Sequence, residues 1–324
     1  MSFDRQRRLR IHSSLRKALA ETQVRPAQLV KPLFIHAGSH AIPLPQLPDS
    51  QVLSLSKGLL PHIEKLMELG ILGVNLYPTL DKTQKDTRGT EALNPEGLIP
   101  QAIQMIKAHF PECMVFPDIA LDPYTSHGHD GLLDEKGRIL NDESIAMLAK
   151  QSVLFAEHGA DMVAPSDQFD GRTIAIRTAL DEANFPYVGI VSYTAKYASA
   201  YYSPFRSALG NDHLQGIDKL SYQLDPANAR QAIAEIEAEL QEGADILMIK
   251  PAGHYLDIVH TARQMTDKPI AVFQVSGECA VIKLAAEHGL FDETRAVMEQ
   301  VISMRRAGAD LIFTYYAERI AYCQ

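Results

Sequence analysis

Two apolar patterns alternate along the chain. Short continuous runs rich in Val, Ile, Leu and Met stand at 29–36, 71–77, 114–121, 162–165, 187–193, 246–250, 270–276 and 311–315. Runs of this length, bounded by Gly, Pro or Asp, predict strands buried on both faces. Between them apolar residues recur three and four apart, and this spacing predicts helices over 57–69, 97–109, 142–158, 228–242 and 292–306. The Pro-rich stretch 42–48 predicts loop.

One junction occurs three times. Gly159-Ala160-Asp161, Gly243-Ala244-Asp245 and Gly308-Ala309-Asp310 each close a helical segment and open an apolar run. A repeated helix-stop-strand junction implies a repeated supersecondary unit. Eight strand candidates alternating with helices over some 300 residues predict an α/β fold, a (β/α)8 TIM barrel. An open doubly wound sheet is the competing architecture, but no strand is followed by Gly-x-Gly-x-x-Gly, so a dinucleotide site has no support. The expected organisation is a basic N-terminal arm over 1–25 and a catalytic barrel over 26–324.

Composition narrows the function classes. The 324 residues carry 31 Lys and Arg against 40 Asp and Glu, a net charge of −9, which argues against a nucleic-acid partner. No apolar run is long enough to span a membrane. The three cysteines are few and far apart, so a disulfide framework or cysteine zinc site is not indicated, and a reducing, cytoplasmic location is expected. The arm departs from this balance with Arg5, Arg7, Arg8, Arg10, Arg16 and Lys17. A basic tail on an acidic body is either a solvated arm or a segment that lies on a sister subunit.

The candidate chemistry sits where strands end. Lys250 closes the run 246–250 and is followed by Pro251; Lys196 follows the run that ends at Tyr193. A lysine delivered by an apolar strand to the edge of a core is desolvated, which disfavours the ammonium and leaves an amine able to attack a carbonyl. A strand-end lysine can equally be a solvated terminus; two of them on one rim favour Schiff-base chemistry. In a barrel the same rim would carry Asp118, Asp122, Ser166, Asp167, Ser276 and Tyr315, polar types above strand bodies of Val, Ile, Leu and Met.

The local sequences resemble one family. The stretch 118–131 (DIALDPYTSHGHDG), 164–172 (APSDQFDGR), 192–199 (SYTAKYAS), 202–206 (YSPFR), 248–257 and 275–278 are similar to signatures of the porphobilinogen synthase, or 5-aminolaevulinate dehydratase, family. The resemblance implies condensation of two 5-aminolaevulinate molecules to porphobilinogen on the way to haem and other tetrapyrroles. By the same resemblance Lys250 and Lys196 form the two Schiff bases, and Asp118 and Ser166 assist proton transfer. Arg206, Lys219 and Gln223 bind one substrate carboxylate and Ser276 with Tyr315 the other, while 197–223 forms a lid. Zinc-dependent members have three cysteines where this chain has Ala120, Asp122 and Asp130, so no catalytic zinc is expected. Magnesium is the cation the resemblance implies, near Glu235. His127 and His129 are candidate ligands or hydrogen-bonding groups. A homo-octamer embraced by its N-terminal arms is implied. The chain departs from the family pattern at Gln168-Phe169, Ser203, Lys219 and Cys279. Two alternatives stand beside this reading: a class I aldolase-like lyase using Lys250 alone, and a non-catalytic paralogue serving as a binding or assembly partner.

Overall fold

The structure is a computed structural model in which residues 3–209 and 218–323 are described. Eight parallel strands form its centre: β1 (Leu29–His36), β2 (Gly73–Pro78), β3 (Met114–Ile119), β4 (Met162–Pro165), β5 (Gly189–Lys196), β6 (Ile246–Lys250), β7 (Ile270–Gln274) and β8 (Leu311–Thr314). Each pairs with the next. The pairs Leu29↔Ile312 and Val30↔Phe313 join β8 back to β1 and close the sheet. This is the (β/α)8 barrel the alternation predicted. Closure leaves no exposed edge, and the helices cover the outer face with their apolar stripes. The helix Glu293–Ala307, for example, buries Val297, Val301 and Met304 at i, i+4 and i+7.

The three Gly-Ala-Asp junctions perform one mechanical task at the lower end of the barrel. Gly159, Gly243 and Gly308 have φ of 102°, 99° and 127°, left-handed backbone that ends the helix. The following alanine is buried, and its N–H returns to a carbonyl of the last helical turn. The aspartate then docks on the preceding strand. Asp161, Asp245 and Asp310 each donate a backbone N–H to a strand carbonyl, and their carboxylates accept the N–H of Val115, Ile190 and Ile270 at 2.8, 2.8 and 2.9 Å. One tripeptide thus stops a helix and sets the register of a strand against its neighbour.

The interior is layered with aromatic rings. Phe116, Phe273 and Phe313 pack with centroids 5.7 Å apart in the pairs Phe116–Phe313 and Phe273–Phe313. Phe34, Tyr77, Tyr193 and Tyr315 continue the stack, with the Tyr77 and Tyr193 hydroxyls 3.1 Å apart. This apolar floor seals the barrel beneath the strand ends.

Two local expectations are corrected. Residues 42–48 are not all loop: Ile42–Pro43 pairs antiparallel with the strand Gln51–Ser54, which itself lies parallel to the end of β1 through Phe34↔Val52. Proline is tolerated there because the short strand is an edge. The run at 187–193 does not stop at Tyr193, since β5 continues through Lys196 across a register shift between Ser192 and Ala195. A bulge absorbs the polar residues that made the pattern look interrupted.

The arm comprises a 3-10 turn, Gln6–Leu9, and a short helix, Ser13–Ala18, neither of which buries a residue. Phe3, Leu9, Ile11 and Leu19 are exposed along it. Among the described residues no helix is long and apolar enough to cross a membrane.

Candidate active site

The bulge in β5 decides the site, because it brings Lys196 directly opposite Lys250 in the β5–β6 ladder. Both side chains are buried, yet their surroundings differ. Lys250 has its Nζ 4.2 Å from the centroid of Phe273, 4.9 Å from Tyr193, 5.3 Å from Phe205 and 5.5 Å from Tyr202. Aromatic faces attract a cation but do not replace water. Burial, reinforced by the Lys196 ammonium, therefore lowers the Lys250 pKa to about 7 despite Asp118, Asp122 and Asp130 nearby. Lys196 has polar company: its Nζ donates to the Ser166 carbonyl and lies 3.4 Å from Asp130 Oδ2.

Asp118, at the end of β3, faces the same space. Burial, with the charge of Asp122, raises its carboxyl pKa to about 7 against the pull of both lysines, and the Ser166 hydroxyl hydrogen-bonds to it. Its Oδ1 has no hydrogen-bond partner among the described residues. A lysine pushed down and a carboxyl pushed up to the same range make a pair between which a proton moves at little cost.

Asp130 links two cations. Its Oδ2 faces Lys196 and its Oδ1 is 2.5 Å from Lys219 Nζ, while Asp122 Oδ2 lies 3.3 Å from that same ammonium. Burial alone would raise the Asp130 pKa, but Lys196 and Lys219 together hold it well below the ordinary carboxylate range. Lys219 is correspondingly raised: burial opposes its charge, and Asp122 and Asp130 outweigh the burial. The expectation that Lys219 serves a substrate carboxylate meets this arrangement directly, since two protein carboxylates already face its ammonium.

Of the residues expected to act, Lys196, Lys250, Asp118, Ser166, Arg206, Lys219 and Gln223 line one cavity. Its cavity volume is about 30 Å³, room for a water or two. Phe205 and Arg206, from the short helix Ser203–Ala208, close it from above. The remaining part of the expected lid at 210–217 lies outside the described residues. Ser276 and Tyr315 are not cavity walls. The Ser276 hydroxyl accepts the Phe205 N–H at 3.1 Å and donates to the Tyr201 carbonyl at 3.2 Å. Tyr315 lies in the aromatic floor, stacked on Phe34, and its hydroxyl has no partner among the described residues. The same segment rests on Gly277, where a Cβ would fall 2.5 Å from the Tyr201 carbonyl oxygen.

Several supporting residues carry no signal in the sequence as site residues. Gln168 donates to the Tyr193 carbonyl at 2.5 Å and accepts the Lys196 N–H at 3.3 Å, so its amide completes the ladder that the bulge breaks. Arg172, fully buried, pairs with Glu239 at 2.7 Å and donates to Ser192 Oγ and the Tyr193 carbonyl at 3.1 Å. The contacts that reach the bulge come from residues 20 to 28 positions away, beyond any local pattern. His127 and His129 make hydrogen bonds: His127 Nε2 lies 3.3 Å from the Thr87 carbonyl, and His129 Nδ1 lies 3.1 Å from the Tyr222 hydroxyl.

Metal-ligand chemistry divides the two expected cation positions. Ala120 offers no donor, and Asp122 and Asp130 both face an ammonium, so this donor set does not fit zinc. Glu235 lies elsewhere, half-buried on the helix Ala229–Glu242, in a cleft of about 500 Å³ shared with Asn141, Asp170 and Gln231. Burial raises its pKa, opposed by Arg172 and reinforced by Glu239, Asp170 and Glu242. Among the described residues no group of three or more His, Cys, Asp or Glu is placed to hold a metal ion.

Comparison with known proteins places this geometry. Residues 3–323 match the family model described as delta-aminolevulinic acid dehydratase. The chloroplastic delta-aminolevulinic acid dehydratase of Selaginella martensii is 47% identical over 317 residues, 98% of this chain and 76% of that protein. The chloroplastic protein of Glycine max is 46% identical over 319 residues, 98% of this chain and 77% of that protein. The crystal structure of delta-aminolevulinic acid dehydratase (porphobilinogen synthase) from Toxoplasma gondii ME49, in complex with the reaction product porphobilinogen, superposes with a TM-score of 0.97. It is 42% identical and covers 100% of this chain and 92% of that one. The names of the plant relatives overturn the cytoplasmic expectation. Cysteine count bears on redox poise and does not distinguish one reducing compartment from another.

Proposed function

The chain belongs to the delta-aminolevulinic acid dehydratase family, and on that premise we propose that it condenses two molecules of 5-aminolaevulinate to porphobilinogen, with loss of two waters, through Schiff bases on Lys250 and Lys196. The observation that carries the reading is the in-register pair Lys196↔Lys250, two buried amines facing one cavity. The neutral amine of Lys250 adds to the keto carbon of the substrate that supplies the propionate side. Water then leaves as the C=N bond forms. Lys196 forms the second Schiff base with the other substrate. The new carbon–carbon and carbon–nitrogen bonds then close the ring and release both lysines.

Asp118 is suited to proton transfer during these steps, because its carboxyl titrates near neutrality beside both amines, with Ser166 orienting it. Arg206 supplies a guanidinium fork to one substrate carboxylate, with Gln223, whose Oε1 has no partner among the described residues, beside it. Ser276 and Tyr315 reach the other carboxylate only when Phe205 withdraws, since Ser276 now holds the Phe205 backbone. The aromatic box does double service: it desolvates Lys250 and excludes water from the imine.

For magnesium we propose the neighbourhood of Glu235, whose carboxylate would be the ligand supplied by this chain. The surplus of carboxylates there, with amide oxygens from Asn141 and Gln231 in the same cleft, suits a hard cation that keeps several waters. Glu235 would hold such an ion remote from the reacting carbons, where its charge would offset the surrounding carboxylates. The basic arm, with four exposed apolar side chains, is assigned to contacts between subunits of a homo-octamer. Deletion of residues 1–20 reduces the assembly size; an unchanged sedimentation profile refutes this arm role.

The test is turnover of 5-aminolaevulinate by the purified protein with magnesium, with zinc and with a chelator, beside borohydride reduction in the presence of substrate. Porphobilinogen formed without zinc, and reduced adducts on Lys250 and Lys196, are expected. Absence of product and adduct under every condition eliminates the reading in favour of a non-catalytic paralogue. An adduct on Lys250 alone, with turnover unaffected by substitution of Lys196, eliminates it in favour of aldolase-type chemistry.

A further inference from the structure

The positions that match the three cysteines of zinc-dependent members are Ala120, Asp122 and Asp130. What faces the two aspartates is the ammonium of Lys219, 2.5 Å from Asp130 Oδ1 and 3.3 Å from Asp122 Oδ2, and all three side chains are buried. We propose that Lys219 is the resident cation of this position, neutralising the Asp122–Asp130 pair and orienting Asp130 towards Lys196 in place of any bound metal ion.

Charge balance supports the assignment. Asp122 and Asp130 supply two negative charges; Lys219 and Lys196 supply two positive ones within 3.4 Å. A divalent cation brought beside these two ammonium groups would meet like charge in a buried place, at a large electrostatic cost. A metal can enter only if the lysine leaves.

The seat of Lys219 is built from both sides. The turn Lys219–Ser221 is followed by Tyr222, whose ring packs against Phe169 at 5.6 Å and whose hydroxyl lies 3.1 Å from His129 Nδ1. Leu224 donates its N–H to the Lys196 carbonyl at 3.0 Å, and Ala198 donates back to the Leu224 carbonyl at 2.8 Å. The lysine that neutralises Asp130 is therefore tied to the strand of the lysine that Asp130 orients. Lys219 acts through Asp130 and is a positioning residue. The cation assignment stands on this geometry; only its consequence for Lys196 rests on the proposed reaction.

The full-length protein is titrated with Mn²⁺ and bound ion is counted by electron paramagnetic resonance, without substrate. Lys219→Met is expected to bind one Mn²⁺ per chain more than the wild type, and the added site disappears when Asp122→Asn or Asp130→Asn is combined with it. An equal count in Lys219→Met and wild type overturns the proposal. So does a wild-type site that is lost on Asp122→Asn or Asp130→Asn, because a metal would then share the position with the lysine. Should Lys219→Met not fold, the readout passes to Lys219→Ala prepared in ethylammonium. A melting temperature that rises with ethylammonium in the variant and not in the wild type supports the resident cation, and the absence of that difference overturns it. Wild-type turnover is measured separately, so failure of the proposed reaction and failure of the cation assignment give different results.

Discussion

The lower and upper rims of this barrel use aspartate in opposite ways. Below, Asp161, Asp245 and Asp310 each accept a backbone N–H at the start of the preceding strand, and Asp161 and Asp310 also pair with Lys107 and Arg263 at 2.9 and 3.1 Å. Their charge is met by fixed partners, and the result is register and stability. Above, Asp118 is buried against two lysines with one oxygen unpartnered among the described residues, and Asp130 is divided between two ammonium groups. Their charge is balanced by groups that themselves react or move. A carboxylate satisfied by backbone stabilises a fold, whereas one balanced against buried amines tunes proton affinity, and the barrel separates the two uses by its length.

The separation is broken most severely at Lys250. Lys250→Met removes the amine from the aromatic box and is expected to lower turnover by at least about 10⁴-fold. Its melting temperature stays within a few degrees of the wild type, because an apolar chain suits that box better than a desolvated amine. A collapse of the melting temperature in parallel with activity would mean the upper rim also holds the fold together.

At Gly277 an added methyl group pushes on the Tyr201 backbone, which cannot give way as a side-chain end can. Gly277→Ala displaces Phe205 and Arg206 and lowers kcat/KM by about 10- to 100-fold. The loss is checked beside thermal unfolding of the same variant, which separates a local displacement of this segment from a general loss of the fold.

The pH dependence sharpens the electrostatic side. An amine attacks only when deprotonated, so borohydride trapping on Lys250 falls as pH drops through about 7 and is near its maximum above that value. Removing a group that raises the lysine pKa moves the fall to lower pH; removing one that lowers it moves the fall to higher pH. Asp118→Asn therefore shifts the midpoint down and Lys196→Met shifts it up. Adduct mass measured across pH 5 to 10 on the order of one-unit steps reads both directions. Equal midpoints in the three proteins would remove these charges from the account.

The smallest effect belongs to the lower rim. Asp245→Ala leaves the Ile190 N–H without its 2.8 Å acceptor and costs about 1–3 kcal/mol. Thermal unfolding reads the loss, and turnover per folded molecule is unchanged. A variant that keeps its stability and loses turnover would place Asp245 in the site's own support through β5.

Legibility from sequence followed the same division. The Gly-Ala-Asp junctions are tripeptides, visible as text because helix stop, buried alanine and strand clamp are consecutive residues. Lys250 was legible for a similar reason, at the end of an uninterrupted apolar run. Lys196 was harder to place, because a bulge keeps β5 in the sheet through residues whose alternation reads as an ending. Gln168 looked like a departure from the family pattern and is a clamp on that bulge. Lys219 too stood among the departures from the family pattern, and its pairing with Asp130 joins positions 89 residues apart.

By itself the amino-acid sequence determined the eight strands, five of the helices between them, the barrel class, and the rim on which the reactive groups stand; the helices Arg172–Glu182, Leu256–Met265 and Ser276–Glu287 appear only in the structure. What the sequence determined depends on local propensity and on a period of apolar residues, both of which are properties of neighbouring positions. Only the tertiary structure decided that Lys196 faces Lys250, that aromatic rings from β5, β7 and the Ala200–Ala208 segment desolvate one of the two, and that Asp130 stands between Lys196 and Lys219. Register, burial and charge pairing are set when distant segments meet. The same lysine is therefore a solvated terminus or a nucleophile according to what the closed barrel places around it.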